Sequence, residues 1–297
     1  MLRSTLGLIG RSLVVGLGYA FTLIVAGLIV SLLGLTPPDI AARVDPQTSL
    51  ASRLLGGILL GLFLGPLSRR LRVPAGERVA VLFAVVLIVN NLVNLIEGLY
   101  FTTFFEHGVA STLVTMVLGS AGLSALIAAL FRPRAIDEQL GVALHGTFVT
   151  RRPWSWVWRI GLASLLYLPT YFFFGSLVIP FVRPYYEDPS LGAGVRLPAF
   201  EVIVPLEVVR GLLYVLTLLP LVALLRGPRW RLALWLAAII AALNAWEPLL
   251  TNTLWPLTMR VAHGLEITAD AFVQGVTIAW LLGCPSRGKD VEETAAT

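Results

Sequence analysis

The chain has 297 residues, of which 57% are hydrophobic and 13% charged, and its mean hydropathy is +0.84. This composition excludes a soluble globular protein and is typical of a polytopic membrane protein. The formal net charge of +5 does not indicate a nucleic-acid partner, because the arginines flank apolar runs as the positive-inside rule expects. The single cysteine, Cys284, excludes an intrachain disulfide and a cysteine metal cluster. We predict no cofactor.

The apolar runs predict an all-α integral membrane bundle of about eight transmembrane helices, at roughly 20 residues per crossing. The predicted spans are 12–35, 54–73, 79–102, 109–131, 157–182, 204–225, 231–255 and 259–282. The first run follows Arg3 and Arg11, as in a signal peptide, but it is as long as a full span and has no clear cleavage site. We therefore interpret it as a retained first span.

Basic and acidic residues alternate between the loops. The loops after even-numbered spans are rich in arginine, for example Arg69, Arg70, Arg132, Arg134, Arg226 and Arg229. The loops after odd-numbered spans carry Asp39, Asp45, Glu106, Glu187 and Asp188. By the positive-inside rule, we predict a multi-pass protein of the cell membrane with both termini in the cytoplasm.

Several landmarks recur in the same order in the two halves of the chain. Gly57 to Pro66 corresponds to Gly211 to Pro220, Asn94 and Glu97 correspond to Asn244 and Glu247, and His107-Gly108 corresponds to His263-Gly264. We interpret this as a duplicated four-helix unit, with repeats at 1–132 and 157–285, a cytoplasmic linker at 133–156 and a cytoplasmic tail at 286–297. Because four is even, the repeats are expected to be parallel. The alternative is chance alignment of apolar segments that contain common glycines and prolines.

The third and seventh spans each carry a glutamate, Glu97 and Glu247, one turn after Asn94 and Asn244. Each amide and carboxylate therefore share a helical face. Pro248 follows Glu247 and is expected to release the carbonyl of Asn244 from its helical bond. Such an oxygen-rich, irregular helix predicts a cation site. The alternative is a proline kink with glutamates that reach the headgroups.

The eighth span has a stripe of four polar residues at spacings of three, four and four, namely His263, Glu266, Asp270 and Gln274. They share one helical face. Glu207, Arg210 and Arg260 are candidates for supporting charges. We predict that Glu247, Glu266 and Asp270 lie within a few ångströms of one another and titrate as a coupled group. The alternative is an ion-pair network that only fixes helix packing.

Enzyme motifs are mostly absent: the chain has no HExxH, GxSxG or P-loop. The segment from Glu207 to Gly211 resembles the glutamate-and-arginine motif of CAAX-processing membrane proteases. It lacks their adjacent glutamates and longer step to arginine, and their later Phe-to-His and His-to-Asn motifs are missing, so we do not predict their activity. A metal site built from His107, His263 and Glu266 stays an alternative.

The leading functional expectation is a transporter or permease with an outward-facing acidic site between the repeats. Its expected partners are the lipid bilayer and a small cation, a proton or a polar solute. Two alternatives stay open: a membrane-embedded enzyme acting at the outer leaflet, and a non-catalytic membrane subunit or scaffold. The sequence leaves a homo-oligomer or another membrane partner undecided.

Overall fold

The computed structural model describes residues 2–191 and 193–283, and over these ranges the chain is helical and contains no β-strand. Eight of its helices are long and apolar enough to cross a membrane, which confirms the predicted multi-pass helical bundle. They are α1 (Thr5–Leu32), α2 (Pro46–Arg70), α3 (Ala75–Phe101), α4 (Val109–Leu130), α5 (Pro153–Glu187), α6 (Phe200–Leu224), α7 (Arg229–Thr251) and α8 (Leu257–Leu282). Cys284 and the tail 286–297 lie outside the described residues.

The largest difference from the predicted spans is in α5, which has 35 residues and extends beyond the predicted 157–182 at both ends. It begins at Pro153, a residue suited to the first turn because its missing N–H has no helical partner there. It continues past Pro180 and Pro184 to Glu187. The predicted linker 133–156 contains a short helix, Leu140–Phe148, and the first residues of α5.

The loops gather at two opposite ends of the bundle. Those that follow α1, α3, α5 and α7 meet at the odd-loop end, where the Ile40 N–H donates to the Phe104 carbonyl (3.2 Å) and the Thr103 N–H to the Gly194 carbonyl (2.9 Å). The loops that follow α2, α4 and α6 meet at the even-loop end, where Arg226 pairs with Glu138 at 2.6 Å. Consecutive membrane helices therefore run in opposite directions.

Corresponding helices pack in corresponding ways in the two halves. Helix α1 packs against α2 and α4, and α5 packs against α6 and α8. A Cβ atom placed on Gly57 would lie 2.9 Å from the Cβ atom of Tyr19, and one placed on Gly211 would lie 2.9 Å from that of Tyr167. Only glycine allows either close approach. The shared contacts agree with a duplication, which stays a prediction.

The halves meet where α2 packs against α7 and where α6 packs against α3, and α3 also contacts α7. Both α3 and α7 change there from α-helix to π-helix, over Val86–Leu92 and Ala242–Trp246. In a π-helix the N–H group bonds the carbonyl five residues back, which inserts a residue and redirects the side chains that follow. The irregular segments therefore lie at the interface between the halves.

Candidate functional site

The structure divides the predicted polar residues into two groups. The Arg210 cluster comprises Glu97, Glu207, Arg210, His263, Glu266 and Asp270. The Glu247 site comprises Glu247 with Asn90, Asn91, Asn94, Tyr19 and Arg53. The charged neighbours of Asp270 are Glu266, Arg210, Glu207 and Glu97, whereas the carboxylate of Glu247 is hydrogen-bonded by Asn90. The expected coupled group of Glu247, Glu266 and Asp270 is thus split between two places.

Arg210 on α6 joins the two halves through paired charges. Its Nη1 atom lies 2.8 and 2.9 Å from the two carboxylate oxygens of Glu207, and its Nη2 atom lies 2.8 Å from Oε2 of Glu97 on α3. The Arg210 side chain is 2% exposed and that of Glu207 is 0% exposed. These charge-assisted bonds balance the charge of the buried guanidinium within the protein, and its Nε atom has no hydrogen-bond partner among the described residues.

The polar stripe of α8 faces the same cluster. His263 Nδ1 lies 2.8 Å from Glu266 Oε2, and the Tyr186 hydroxyl lies 3.5 Å from His263 Nε2. Asp270 is 2% exposed, and its buried Oδ1 atom has no hydrogen-bond partner among the described residues. Gln274 instead donates to the Ala163 carbonyl at 3.2 Å, so the last member of the stripe serves helix packing.

Two other predicted residues lie away from these acids. Arg260 donates to the Asn252 carbonyl at 2.9 Å and forms no ion pair within the described ranges, so it supports a loop. His107 lies at the odd-loop end, where its Nδ1 is 3.0 Å from Asp39. There the backbone N–H of His107 is the main cause that lowers the pKa of the Asp39 carboxyl.

The metal candidates His107, His263 and Glu266 are not brought together, since His107 pairs with Asp39 and His263 with Glu266. Within the described residues, no group of three or more His, Cys, Asp or Glu side chains is placed to hold a metal ion. The geometry therefore does not assemble the metal site that the sequence left open.

The π segment of α7 positions Glu247. The Glu247 N–H bonds the carbonyl of Ala242, five residues back, so the next N–H in this register would bond the carbonyl of Leu243. Residue 248 is proline and has no N–H. Asn90 of α3 donates to that Leu243 carbonyl instead at 2.6 Å, and to Glu247 Oε2 at 3.0 Å. The carbonyl that accepts the bond from Asn90 is thus that of Leu243. The sequence pointed to the carbonyl of Asn244 instead, because it assumed α-helical bonds that reach four residues back.

The remaining amides have different environments. Asn94 donates to the Asn90 carbonyl at 2.6 Å, and Asn91 donates to Ser120 Oγ at 3.0 Å. Asn244 is 2% exposed, and neither of its side-chain polar atoms has a hydrogen-bond partner in the described part of the chain. Asn244 therefore makes no hydrogen bond to the carboxylate with which the sequence grouped it.

Two adjoining cavities meet at Glu247. One, of about 310 Å³, reaches the loops of the odd-loop end and is lined by Ile40, Val44, Ser49, Ser52, Arg53 and residues 251–254. The other, of about 220 Å³, is lined by Asn90, Asn91, Asn94, Leu95, Phe105 and Met116. Tyr19, Glu247 and Pro248 line both cavities. Glu247 therefore lies where the two cavities adjoin, between the halves.

Sequence reasoning missed Tyr19 and Arg53 as site residues. The available signal was positional: Arg53 stands four residues before Gly57, as Glu207 stands four residues before Gly211. If the glycines are aligned, the residues one turn earlier on each helix come to the same place at the interface. Arg53 also immediately precedes the predicted second span at 54–73. It was therefore counted among the charged residues that flank a span.

Comparisons of the chain with models of protein families, with curated proteins and with solved structures find no match. The geometry itself separates what the two groups of residues can do. Around Arg210, a buried cation is already held by carboxylates of the chain, as in a structural ion-pair network. At Glu247, a half-buried carboxylate borders two cavities, and no Lys, Arg or His nitrogen of the described residues lies within 4.0 Å of it. Such a carboxylate is free to bind a cationic ligand.

Proposed function

We propose that this chain is a membrane permease that binds a cation or a cationic solute at Glu247, between its two halves. The observation that carries the proposal is a half-buried carboxylate at the junction of two cavities, without a cationic partner among the described residues. The alternation of arginine between loops supports an orientation in which the odd-loop end faces outward from the cell membrane.

An ionised carboxylate inside a membrane span costs at least about 2.5 kcal/mol unless it is compensated. Glu97 is compensated by Arg210 at 2.8 Å. Glu247 receives one side-chain amide bond, from Asn90 at 3.0 Å. A bound cation or proton would supply the missing compensation, so the site favours occupation by a positive charge.

The position of the site between the halves suits alternating access. Substrate sites of transporters built from repeats lie near the middle of the membrane, at the repeat interface and beside irregular helices. Here the π segments Val86–Leu92 and Ala242–Trp246 flank the cavities at that interface. We propose that a relative movement of the two halves opens the path alternately to each side.

A second candidate function, a non-catalytic membrane subunit, is favoured by the Arg210 cluster. Its central guanidinium is buried and paired with carboxylates of both halves, which is how a scaffold would use polar residues. A scaffold needs no ligand at Glu247. The two candidates therefore differ in whether a cation binds there.

The test uses purified full-length protein in proteoliposomes, as wild type and as Glu247→Gln. We expect the wild type to take up at least one cation from a panel of Na⁺, K⁺, methylammonium and guanidinium. We expect Glu247→Gln to reduce that uptake at least about tenfold, because a charge-assisted hydrogen bond contributes about 1.5 to 3 kcal/mol. The matched control is Glu187→Gln, which removes an exposed carboxylate paired with Arg183 at the odd-loop end and should leave uptake unchanged.

The thermal unfolding midpoint of each variant is measured alongside, to show that uptake is compared between folded proteins. A folded wild type that neither binds nor transports any member of the panel between about pH 5 and pH 8, the range in which carboxylates with an ordinary pKa are ionised, would favour the scaffold. Equal uptake by wild type and Glu247→Gln would show that the cation binds elsewhere.

A further inference from the structure

Gly57 of α2 packs against Tyr19 as Gly211 of α6 packs against Tyr167. The residues just before these glycines can therefore be compared. The residue before Gly211 is Arg210, whose guanidinium lies 2.8 Å from Glu97. The residue before Gly57 is Gly56, and a Cβ atom placed there would lie 2.5 Å from Glu247 Oε1. One glutamate thus faces an arginine of the other half, whereas the other glutamate faces a glycine and a cavity.

A second difference lies one turn earlier on the same helices. Glu207 stands three residues before Arg210 and binds its guanidinium. Arg53 stands three residues before Gly56 and lines the larger cavity, and its guanidinium forms no ion pair within the described ranges. The charge at this position is therefore opposite in the two helices: α6 has a carboxylate where α2 has a guanidinium.

On the basis of the proposed function, we infer that the solute is a small zwitterion, with a guanidinium or primary ammonium group bound by Glu247 and a carboxylate bound by Arg53. Around Arg210 the order of charges is acid, guanidinium, acid. The corresponding positions of the other pair of helices hold Arg53, Gly56 and Glu247, so the larger cavity is lined by one guanidinium and one acid. A single ligand that satisfies both must carry an anionic and a cationic group.

The dimensions of the cavity agree with such a ligand. Arg53 and Gly56 are three residues apart, which is about one helical turn or 5 Å along the axis. A cavity of about 310 Å³ has the volume of about ten water molecules at roughly 30 Å³ each, enough for an amino-acid-sized solute. Tyr19 lines this cavity together with Glu247 and Arg53.

The direction of α2 gives the ligand an orientation. Helix α2 begins at Pro46, near the odd-loop end, so Arg53 lies one turn nearer that end than Gly56 does. The anionic group would therefore face the odd-loop end and the cationic group would point toward the smaller cavity. There the amides of Asn90, Asn91 and Asn94 offer carbonyl oxygens to its remaining N–H donors.

The test compares L-arginine with agmatine, which has the same guanidinium but an ammonium group where arginine has its amino acid end. Binding of both is measured calorimetrically to full-length protein in nanodiscs. We expect the wild type to prefer arginine, and Arg53→Gln to weaken arginine binding about fivefold, as removal of one partly exposed charge pair would do. Agmatine binding should stay unchanged or become stronger, because its second cation no longer meets Arg53.

Two further variants complete the design. Arg53→Lys keeps the charge and should retain most of the preference for arginine, whereas Arg183→Gln removes an exposed arginine that pairs with Glu187 and should change neither affinity. Glu247→Gln should weaken the binding of both arginine and agmatine. Equal changes for arginine and agmatine in Arg53→Gln would overturn the zwitterion inference.

Failure of this inference can be told apart from failure of the proposed function. Binding of simple cations that depends on Glu247, together with no binding of arginine or with no preference of arginine over agmatine, would contradict the zwitterion and leave the permease standing. If no cation of either experiment binds, both are wrong.

Discussion

The Arg210 cluster and the Glu247 site occupy comparable positions at the interface between the halves, but their carboxylates are satisfied differently. Glu97 of α3 meets Arg210 of α6 at 2.8 Å. Glu247 of α7 meets Gly56 of α2 and borders both cavities. A charge that the chain compensates itself holds helices together, whereas a charge left facing a cavity needs a partner from outside.

This difference shows how the same interface can be joined by ion pairs at one place and contain a cavity at another. The buried guanidinium joins α3 to α6 on one side of the interface, which would fix the halves there. On the other side, α2 and α7 border the larger cavity, with a glycine where α6 has its arginine. An ion pair therefore joins the halves at one place, and a cavity lies between them at the other.

The largest expected effect comes from breaking the Arg210 cluster. Arg210→Met leaves Glu97 and Glu207 near each other without their shared cation. Removing one partner from a buried ion pair destabilises proteins by about 3 to 5 kcal/mol, because the remaining charges stay buried and unpaired. We expect a marked loss of folded protein in detergent, measured by the thermal unfolding midpoint and by the monodisperse fraction in gel filtration.

The control removes all three charges at once, in Glu97→Gln/Glu207→Gln/Arg210→Met. Replacing a whole buried ion-pair network with neutral groups is often nearly neutral for stability, so this variant should recover most of the folded fraction. A single Arg210→Met protein as stable as the wild type would show that the ion pairs do not hold the halves together.

Much of the fold could be predicted because a membrane span leaves a strong signal in one dimension. Apolar runs of about 20 residues are rare outside membranes, and each of the eight predicted runs corresponds to one of α1 to α8. The long α5 was underestimated, since it continues past Pro180 and Pro184 to Glu187. Within the membrane, where helical structure is strongly favoured, they were accommodated.

The site could be predicted only in part, because periodicity shows which residues share a face but not which helix that face meets. The stripe from His263 to Asp270 lies on one face as expected, and the charges that act on Asp270 are those of Glu266, Arg210, Glu207 and Glu97 rather than that of Glu247. The π segments were also hidden, since no residue pattern in Val86–Leu92 or Ala242–Trp246 marks the inserted residue. One such insertion moved the relevant carbonyl from Asn244 to Leu243.

A smaller effect is expected from the amide that supports Glu247. Asn90→Leu would leave the Leu243 carbonyl without its side-chain donor and Glu247 without its amide bond. A buried acceptor that loses its donor costs about 1 to 3 kcal/mol, so the unfolding midpoint should fall, though less than in Arg210→Met. Cation uptake should fall with it, because the carboxylate loses the group that orients it.

Asn94→Leu is the comparison for stability, since Asn94 donates to the Asn90 carbonyl one turn earlier on the same helix and should affect stability less. If Asn90→Leu and Asn94→Leu lower the unfolding midpoint equally, the bridge from Asn90 to α7 stabilises the protein no more than a bond within one helix.

The smallest expected effect concerns Asn244, the amide that the sequence placed in the cation site. Its side chain is 2% exposed, both of its polar atoms lack hydrogen-bond partners among the described residues, and it lines neither cavity. Replacing an unsatisfied buried amide with an apolar group of similar size removes a desolvation cost. Asn244→Leu should therefore leave cation uptake unchanged and raise the stability by up to about 1 kcal/mol, seen as an equal or slightly higher unfolding midpoint. A folded Asn244→Leu protein with impaired uptake would mean that the amide does reach the solute, and that the site extends beyond the residues that line the two cavities.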